Sequence, residues 1–271
     1  MSTCSQIPAN PDISGIGIRI NLYVTTLLLA LVPNTPLTAP LLSVLTSNAG
    51  ISGAALLITA LIETGKHQLS LYHAIFIIHA LFFLGINISP TGKYRGNLTA
   101  RVLFSMILTY GLLLLFAGYA FYIWATAPKF GLASECNDQI KYIVLFAIKV
   151  RATVGWLRKL WMAGLGITLS LMIVLPLIAS CTLLFGTPKY HTTDSSSNQV
   201  SVFSLGNLLS PVYGIANLEL YVKANKALLT DGEETLSFGQ IFALVMIISI
   251  AAEILHFVIA LCGGGRDDYD D

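Results

Sequence analysis

Apolar residues fill this chain in long blocks that lack a polar face. Seven blocks reach or approach the roughly 20 residues that a membrane-crossing helix needs: 13–32, 42–63, 69–88, 101–126, 163–185, 202–222 and 238–261. The first stops at Pro33 and the turn-rich stretch PNTPLTAP, and the firm part of the second is ISGAALLITALI. The sixth holds Gly206, Pro211 and Gly214, which predicts a kinked or broken helix, because proline removes a backbone donor. The stretch YIVLFAIKV at 142–150 is apolar but too short to cross; it reads as a strand or interfacial segment within a long loop, 127–162. The pattern therefore predicts an all-α, polytopic membrane helix bundle with seven transmembrane helices. It comprises a short polar N-terminus (1–12), one domain (13–261) and an acidic, disordered tail (262–271). No internal repeat is visible, which argues against a transporter built from duplicated halves.

Composition sharpens this picture. The chain is 55% hydrophobic and only 11% charged, where a soluble domain carries about a quarter charged residues, and its mean hydropathy is +0.75. Net charge is +1, so no nucleic-acid footprint exists. No basic residue precedes Pro11, so the first block lacks the charged start of a cleavable signal and is expected to remain in the mature protein.

Charge and cysteines give opposite orientations. With seven crossings, Lys66, Lys129, Lys141, Lys149, Arg151, Arg158, Lys159, Lys223 and Lys226 share the N-terminal face. Lys93, Arg95, Arg101, Lys189 and Arg266 lie on the other. The excess places the N-terminal face in the cytoplasm. Cys4 and Cys136 share that same face, and a disulfide between them would need an oxidising compartment. Cys181 and Cys262 lie in or beside blocks and read as packed apolar residues. The sequon Asn97-Leu98-Thr99 falls on the opposite face, almost against the membrane. Orientation, and which membrane, stay open at this level.

The first block carries a full charge, Arg19. Asp12, Gly15, Arg19, Tyr23 and Thr26 are spaced i, i+3, i+7, i+11 and i+14, one narrow stripe on a helix. If the helix starts at residue 13, Arg19 lies about 9 Å deep. Two readings stand. Its long stem can lie in the apolar region while the charge reaches the headgroups, or it can face the bundle interior and pair with acids. Depth selects partners for the second: Glu219 about 5 Å in from the same face, Glu63 at the end of the second block, and Asp12. His73 and Gln240 begin the third and seventh blocks near that face. The expectation is a polar vestibule of Asp12, Arg19, Tyr23, Glu63, His73, Glu219 and Gln240, with an i, i+4 pair to Lys223 as the competing role for Glu219.

Other features carry less. Glu253 and His256 are three apart on the last block, about 22 Å from the N-terminal face for Glu253, and read as a secondary polar pair. Glu-x-x-His recurs in di-iron bundles, but those need two copies and none is found here, so no metal and no cofactor are expected. His73 and His79 fall on different helix faces. Trp124, Trp156 and Trp161, with Tyr119 and Tyr122, read as an interfacial aromatic belt, and the basic, aromatic stretch 149–161 as an amphipathic helix on an anionic membrane surface. No phosphate loop or nucleophile elbow appears.

Two short stretches resemble a family of fungal seven-span integral membrane proteins. They are Asn-Pro-Asp-Ile-Ser-Gly-Ile-Gly-Ile-Arg at 10–19 and Ser237-Phe238-Gly239-Gln240 at the start of the last block. The resemblance implies the fold and a fungal source, and no activity. Three functions compete. A receptor or sensor binding a small or lipidic ligand suits the vestibule, with membrane lipids as the other partner. An intramembrane enzyme of lipid or terpenoid metabolism, cyclase-like, would use Glu63, Glu219 or Glu253 as acid. A channel or transporter is disfavoured by the absence of repeats and the few central charges.

Overall fold

The computed structural model describes residues 4–83, 100–146, 148–185 and 205–263. Apart from one hairpin, its elements are helical. They are α1 (Pro11–Ser14), α2 (Ile16–Leu31), α3 (Ala39–Gly65), α4 (Leu71–Phe83), α5 (Ala100–Thr126), β1 (Lys141–Val144), β2 (Ile148–Arg151), α6 (Gly155–Phe185), α7 (Leu205–Asn225) and α8 (Phe238–Gly263). Among the described residues, five helices are long and apolar enough to cross a membrane: Pro11–Leu31, Ala39–Gly65, Ile107–Lys129, Gly155–Ile178 and Phe238–Ile259. α4 is described over 13 residues, and residues 84–88 of its expected span lie outside the described residues, as do the tail from 264 on and the sequon. α7 is not among the five. The architecture is an all-α, multi-pass membrane bundle.

α4 is the axis. Leu71 through Ala80 are all buried, polar residues included, as expected of a helix that is apolar all round. α1, α3, α5 and α7 pack on it, α2 spans α3, α7 and α8, and α6 lies outside against α5. Only 6% of the most apolar window of α6 and 11% of that of α8 is buried. Their exposed Ile, Leu, Val and Phe side chains, such as Ile167, Leu175, Ile248 and Val258, form an apolar outer surface far larger than a water-soluble monomer presents. Lipid is as apolar as these side chains, so close packing and interhelical hydrogen bonds hold such a bundle together.

One such network lies between α2 and α3. Asn48 Nδ2 donates to Asn21 Oδ1 at 3.1 Å and to Thr25 Oγ1 at 2.8 Å, and Asn21 Nδ2 donates to Ser52 Oγ at 3.0 Å. Asn21, Thr25 and Asn48 are buried.

Several expectations change. The 127–162 stretch is a folded cap followed by a helix start. Its hairpin pairs Lys141 with Arg151 and Val144 with Ile148. Asn225, at the end of α7, joins the edge: its Oδ1 accepts from Lys141 N at 2.7 Å, and its Nδ2 donates to Lys141 O at 2.8 Å. The expected amphipathic helix at 149–161 is split between β2 and the first turns of α6. Arg158 turns inward because α5 ends in orphan carbonyls; its Nε donates to Trp124 O at 2.8 Å and its Nη2 to Ala125 O at 2.5 Å. The aromatic belt also divides. Trp124 is buried, Trp161 stacks on it at 5.5 Å, and Tyr142 from the hairpin meets Trp124 edge-on at 5.4 Å. Tyr119 is buried as well, which leaves Trp156 and Tyr122 exposed. α7 runs unbroken through Pro211.

The N-terminus is not a loose polar segment. Ile7 is buried, its N–H donates to Leu228 O at 2.7 Å, and its carbonyl accepts from Thr230 N at 2.9 Å. Cys4 is disulfide-bonded to Cys136, 132 positions away in the chain. Closing so long a loop restricts the unfolded chain and stabilises the fold by about 2–4 kcal/mol. Reduction of the purified protein, or Cys4→Ser, should therefore lower its thermal midpoint. Alkylation of both thiols in the native, unreduced protein would show that no bond forms.

Candidate functional site

The start of α2, the end of α7 and the start of α8 converge at the N-terminal face. Arg19 is 7% exposed and points into the bundle. Its Nη1 lies 2.6 Å from Glu219 Oε1 and 2.8 Å from Oε2, while its Nε donates to Ser14 O at 3.1 Å. Tyr23 donates to Glu219 Oε1 at 2.6 Å. Nη1 straddles both carboxylate oxygens, and Nε ties the guanidinium to the carbonyl of Ser14 at the end of α1. Glu219 thus faces Arg19, and the described residues hold no ion pair between it and Lys223. Thr26, the inner end of the stripe, returns its hydroxyl to Leu22 O at 2.7 Å on its own helix and does not extend the track.

The other expected members do not touch Arg19. Asp12 Oδ1 accepts from Gly239 N at 2.8 Å, and Glu63 accepts from Asn10 Nδ2 at 3.0 and 3.2 Å. His73 belongs to a second centre built on Glu233, a loop residue that sequence reasoning missed. Glu233 Oε2 accepts from Asn10 N at 2.9 Å, and Oε1 meets Ser14 Oγ and lies 3.3 Å from His73 Nε2. His73 Nδ1 is in turn 2.8 Å from Ser70 Oγ. Glu233 lies in the polar run Asp231–Gly–Glu–Glu, whose composition reads as a solvated turn; nothing in its spacing announces an inserted acid.

Gln240 explains why the two signature stretches carry glycine. Its Oε1 accepts from Gly17 N at 3.3 Å, and its Nε2 donates to Thr235 O at 2.7 Å. A Cβ at Gly15 would sit 2.5 Å from Gln240 Nε2, and one at Gly239 would sit 2.7 Å from Asp12 Oδ1. α8 reaches the α1–α2 corner only because both positions lack a side chain. The Asn-Pro-Asp…Gly-Ile-Gly…Arg and Ser-Phe-Gly-Gln stretches are thus two sides of one contact.

The expected vestibule is therefore a clasp whose polar atoms largely satisfy one another. Open space lies beside it. A cavity of about 430 Å³ between α2, α3 and α8 has Asp12 and Glu63 at one end and Asn21 and Ser52 at the other. Leu22, Leu56 and Phe242 are among its apolar walls. Ser52 and Glu63 lie eleven positions apart on the unbroken α3, so the cavity runs inward by about 16 Å. Glu253 and His256 take no part in it. His256 is exposed, Glu253 is half-exposed, and no hydrogen bond or ion pair joins them among the described residues. The secondary polar pair does not form, because α8 turns that stretch outward. No group of three or more His, Cys, Asp or Glu residues suited to a metal occurs among the described residues.

No protein-family model matches the chain, and neither a curated protein nor a solved structure is similar to it.

The clasp predicts a graded set of stabilities. Arg19→Ala should destabilise by about 1.5–3 kcal/mol, the range for hydrogen bonds to charged groups. That is below the cost of breaking a fully buried pair, because the Glu219 side chain is 43% exposed. Adding Glu219→Gln should recover part of the loss by removing the unpaired acid. Arg19→Lys should fall between, since an ammonium keeps Glu219 and loses Ser14 O. Thermal midpoints in detergent rank the three variants; equal midpoints for Arg19→Ala and the wild type would refute the role given to the pair.

Proposed function

We propose that this protein crosses the membrane seven times and binds a small amphipathic ligand, as a receptor or sensor, in the cavity between α2, α3 and α8. The observation that carries this reading is the cavity itself. It is of ligand size, apolar along its length and polar at both ends, and it lies beside a rigid clasp. The cyclase-like alternative gains less support, since both Glu63 oxygens already accept from the Asn10 amide, which positions an acceptor and not a proton donor. Membership of the fungal family that the two signature stretches resemble is part of the same proposal, supported by their mutual contact.

Seven crossings are supported by alternation. The N-terminal face gathers the start of α2, the end of α3, the start of α4, the end of α5, the start of α6, the end of α7 and the start of α8 through the bonds described above. The Cys4–Cys136 bond favours a lumenal or extracellular position for that face. Part of its positive charge sits in the folded cap, and Arg158 is turned onto carbonyls. In sealed microsomes, an epitope at the N-terminus should be protected from protease and one at the C-terminus cut. Identical behaviour of the two epitopes would mean an even number of crossings.

Native mass spectrometry tests binding. Protein released from mild detergent should retain an amphiphile of defined mass, and Ala55→Trp should lose it, because Ala55 lines the cavity on α3. Identical adducts on both proteins would place the bound molecule elsewhere.

A further inference from the structure

The chemistry of the cavity's lining identifies the class of ligand, an inference that rests on the binding reading above. Asp12 and Glu63 both line it, and no lysine, arginine or histidine does. Arg19, seven positions beyond Asp12, turns away to Glu219, and Lys66, three positions beyond Glu63, is exposed and makes no ion pair among the described residues. Asp12 uses one oxygen for Gly239 N, and no hydrogen bond among the described residues takes the other. The carboxylates of Glu63 and Asp12 are therefore held in place by neutral donors, the Asn10 amide and a backbone N–H, and neither makes an ion pair among the described residues.

Two aromatic rings complete this end. Phe238 and Phe242 line the same cavity with ring centroids 6.5 Å apart; both are exposed, Phe238 at 83%, so they stand at its rim, and Phe238 adjoins Gly239, whose N–H holds Asp12. Carboxylates and aromatic rings lining one cavity are the surroundings that an ammonium group seeks. An anionic head would meet two like charges, which is a strong selection against it. Beyond the rings the walls are apolar, through Leu22, Leu56 and Ala243, and suit an alkyl chain. We propose that the cavity binds a cationic amphiphile, its ammonium head between Asp12 and Glu63 and its chain running inward between α2, α3 and α8 toward Asn21 and Ser52.

The test uses the full chain in phosphatidylcholine nanodiscs and three diazirine-bearing probes of equal chain length: an alkylammonium, an alkanoate and an alkanol. Cross-links are mapped by peptide mass spectrometry. The alkylammonium should label α3 around Leu56 and α8 around Phe242 at a concentration about tenfold or more below that needed by the alkanoate, tenfold being the lower end for a single charge-assisted contact. Ala55→Trp should abolish labelling there by all three probes. Asp12→Asn with Glu63→Gln keeps acceptor oxygens for Gly239 N and Asn10 Nδ2, so the fold is preserved while the charge is removed; the preference for the ammonium over the alkanol should collapse. If the alkanoate labels as well as the ammonium, or the preference survives the double substitution, the cationic class is refuted and the binding reading stands. If no probe labels these stretches, the binding reading falls with it.

Discussion

The arrangement of this bundle depends on where Arg19 goes. A guanidinium on the first helix cannot face lipid without cost, and the outer surfaces of α6 and α8 are already committed to apolar side chains. Its carboxylate partner lies on α7, so α2 must sit against α7. From there the Nε–Ser14 carbonyl bond fixes the α1–α2 corner, and that corner offers Gly15 and Gly17 to Gln240. α8 is thereby docked on α2, and the space left between α2, α3 and α8 is the cavity. One ion pair thus determines the neighbours of three helices in a setting where apolar burial discriminates weakly between alternatives.

The clasp and the cavity have different chemical characters, and the difference separates structure from function. Around Arg19 and Glu233, donors and acceptors are matched: Tyr23 and Arg19 serve Glu219, while Asn10, Ser14 and His73 serve Glu233. Satisfied networks of this kind rigidify. At Asp12 and Glu63 the donors are neutral and the charge remains. A rigid wall thus stands beside an acidic end that no ion pair among the described residues compensates.

The sequence made the long helices legible because their apolarity is continuous, and it made Arg19 and Glu219 legible because depth along a helix is arithmetic. It made the two motifs visible as motifs. What it hid followed from other physics. Glu233 sits in a run of polar loop residues, and only tertiary contact distinguishes an inserted acid from a solvated one. The short strand at 142–150 was legible, but its docking on Asn225 of α7 was not, and the inward turn of Arg158 depends on the orphan carbonyls at the end of α5, which no periodicity marks. Trp124 and Trp161 have the composition of an interfacial belt but lie under a folded cap that supplies Tyr142. Asn21 and Asn48 escaped notice because single polar residues scattered through apolar blocks look alike until two helices bring them face to face.

The clasp joins the beginning of the chain to its end. Arg19 and Glu219 are 200 positions apart, and Asn10 and Glu233 are 223 apart. A ribosome adding about 5–20 residues per second takes roughly 10–40 s to cover the first of these distances. Throughout that interval Arg19 has Ser14 O within reach but lacks its acid. Its ion pair waits for α7, and its final seating waits for Gln240 on α8. A helix made before its partners is therefore seated only after them, and the wait is set by the length of chain between Arg19 and Gln240.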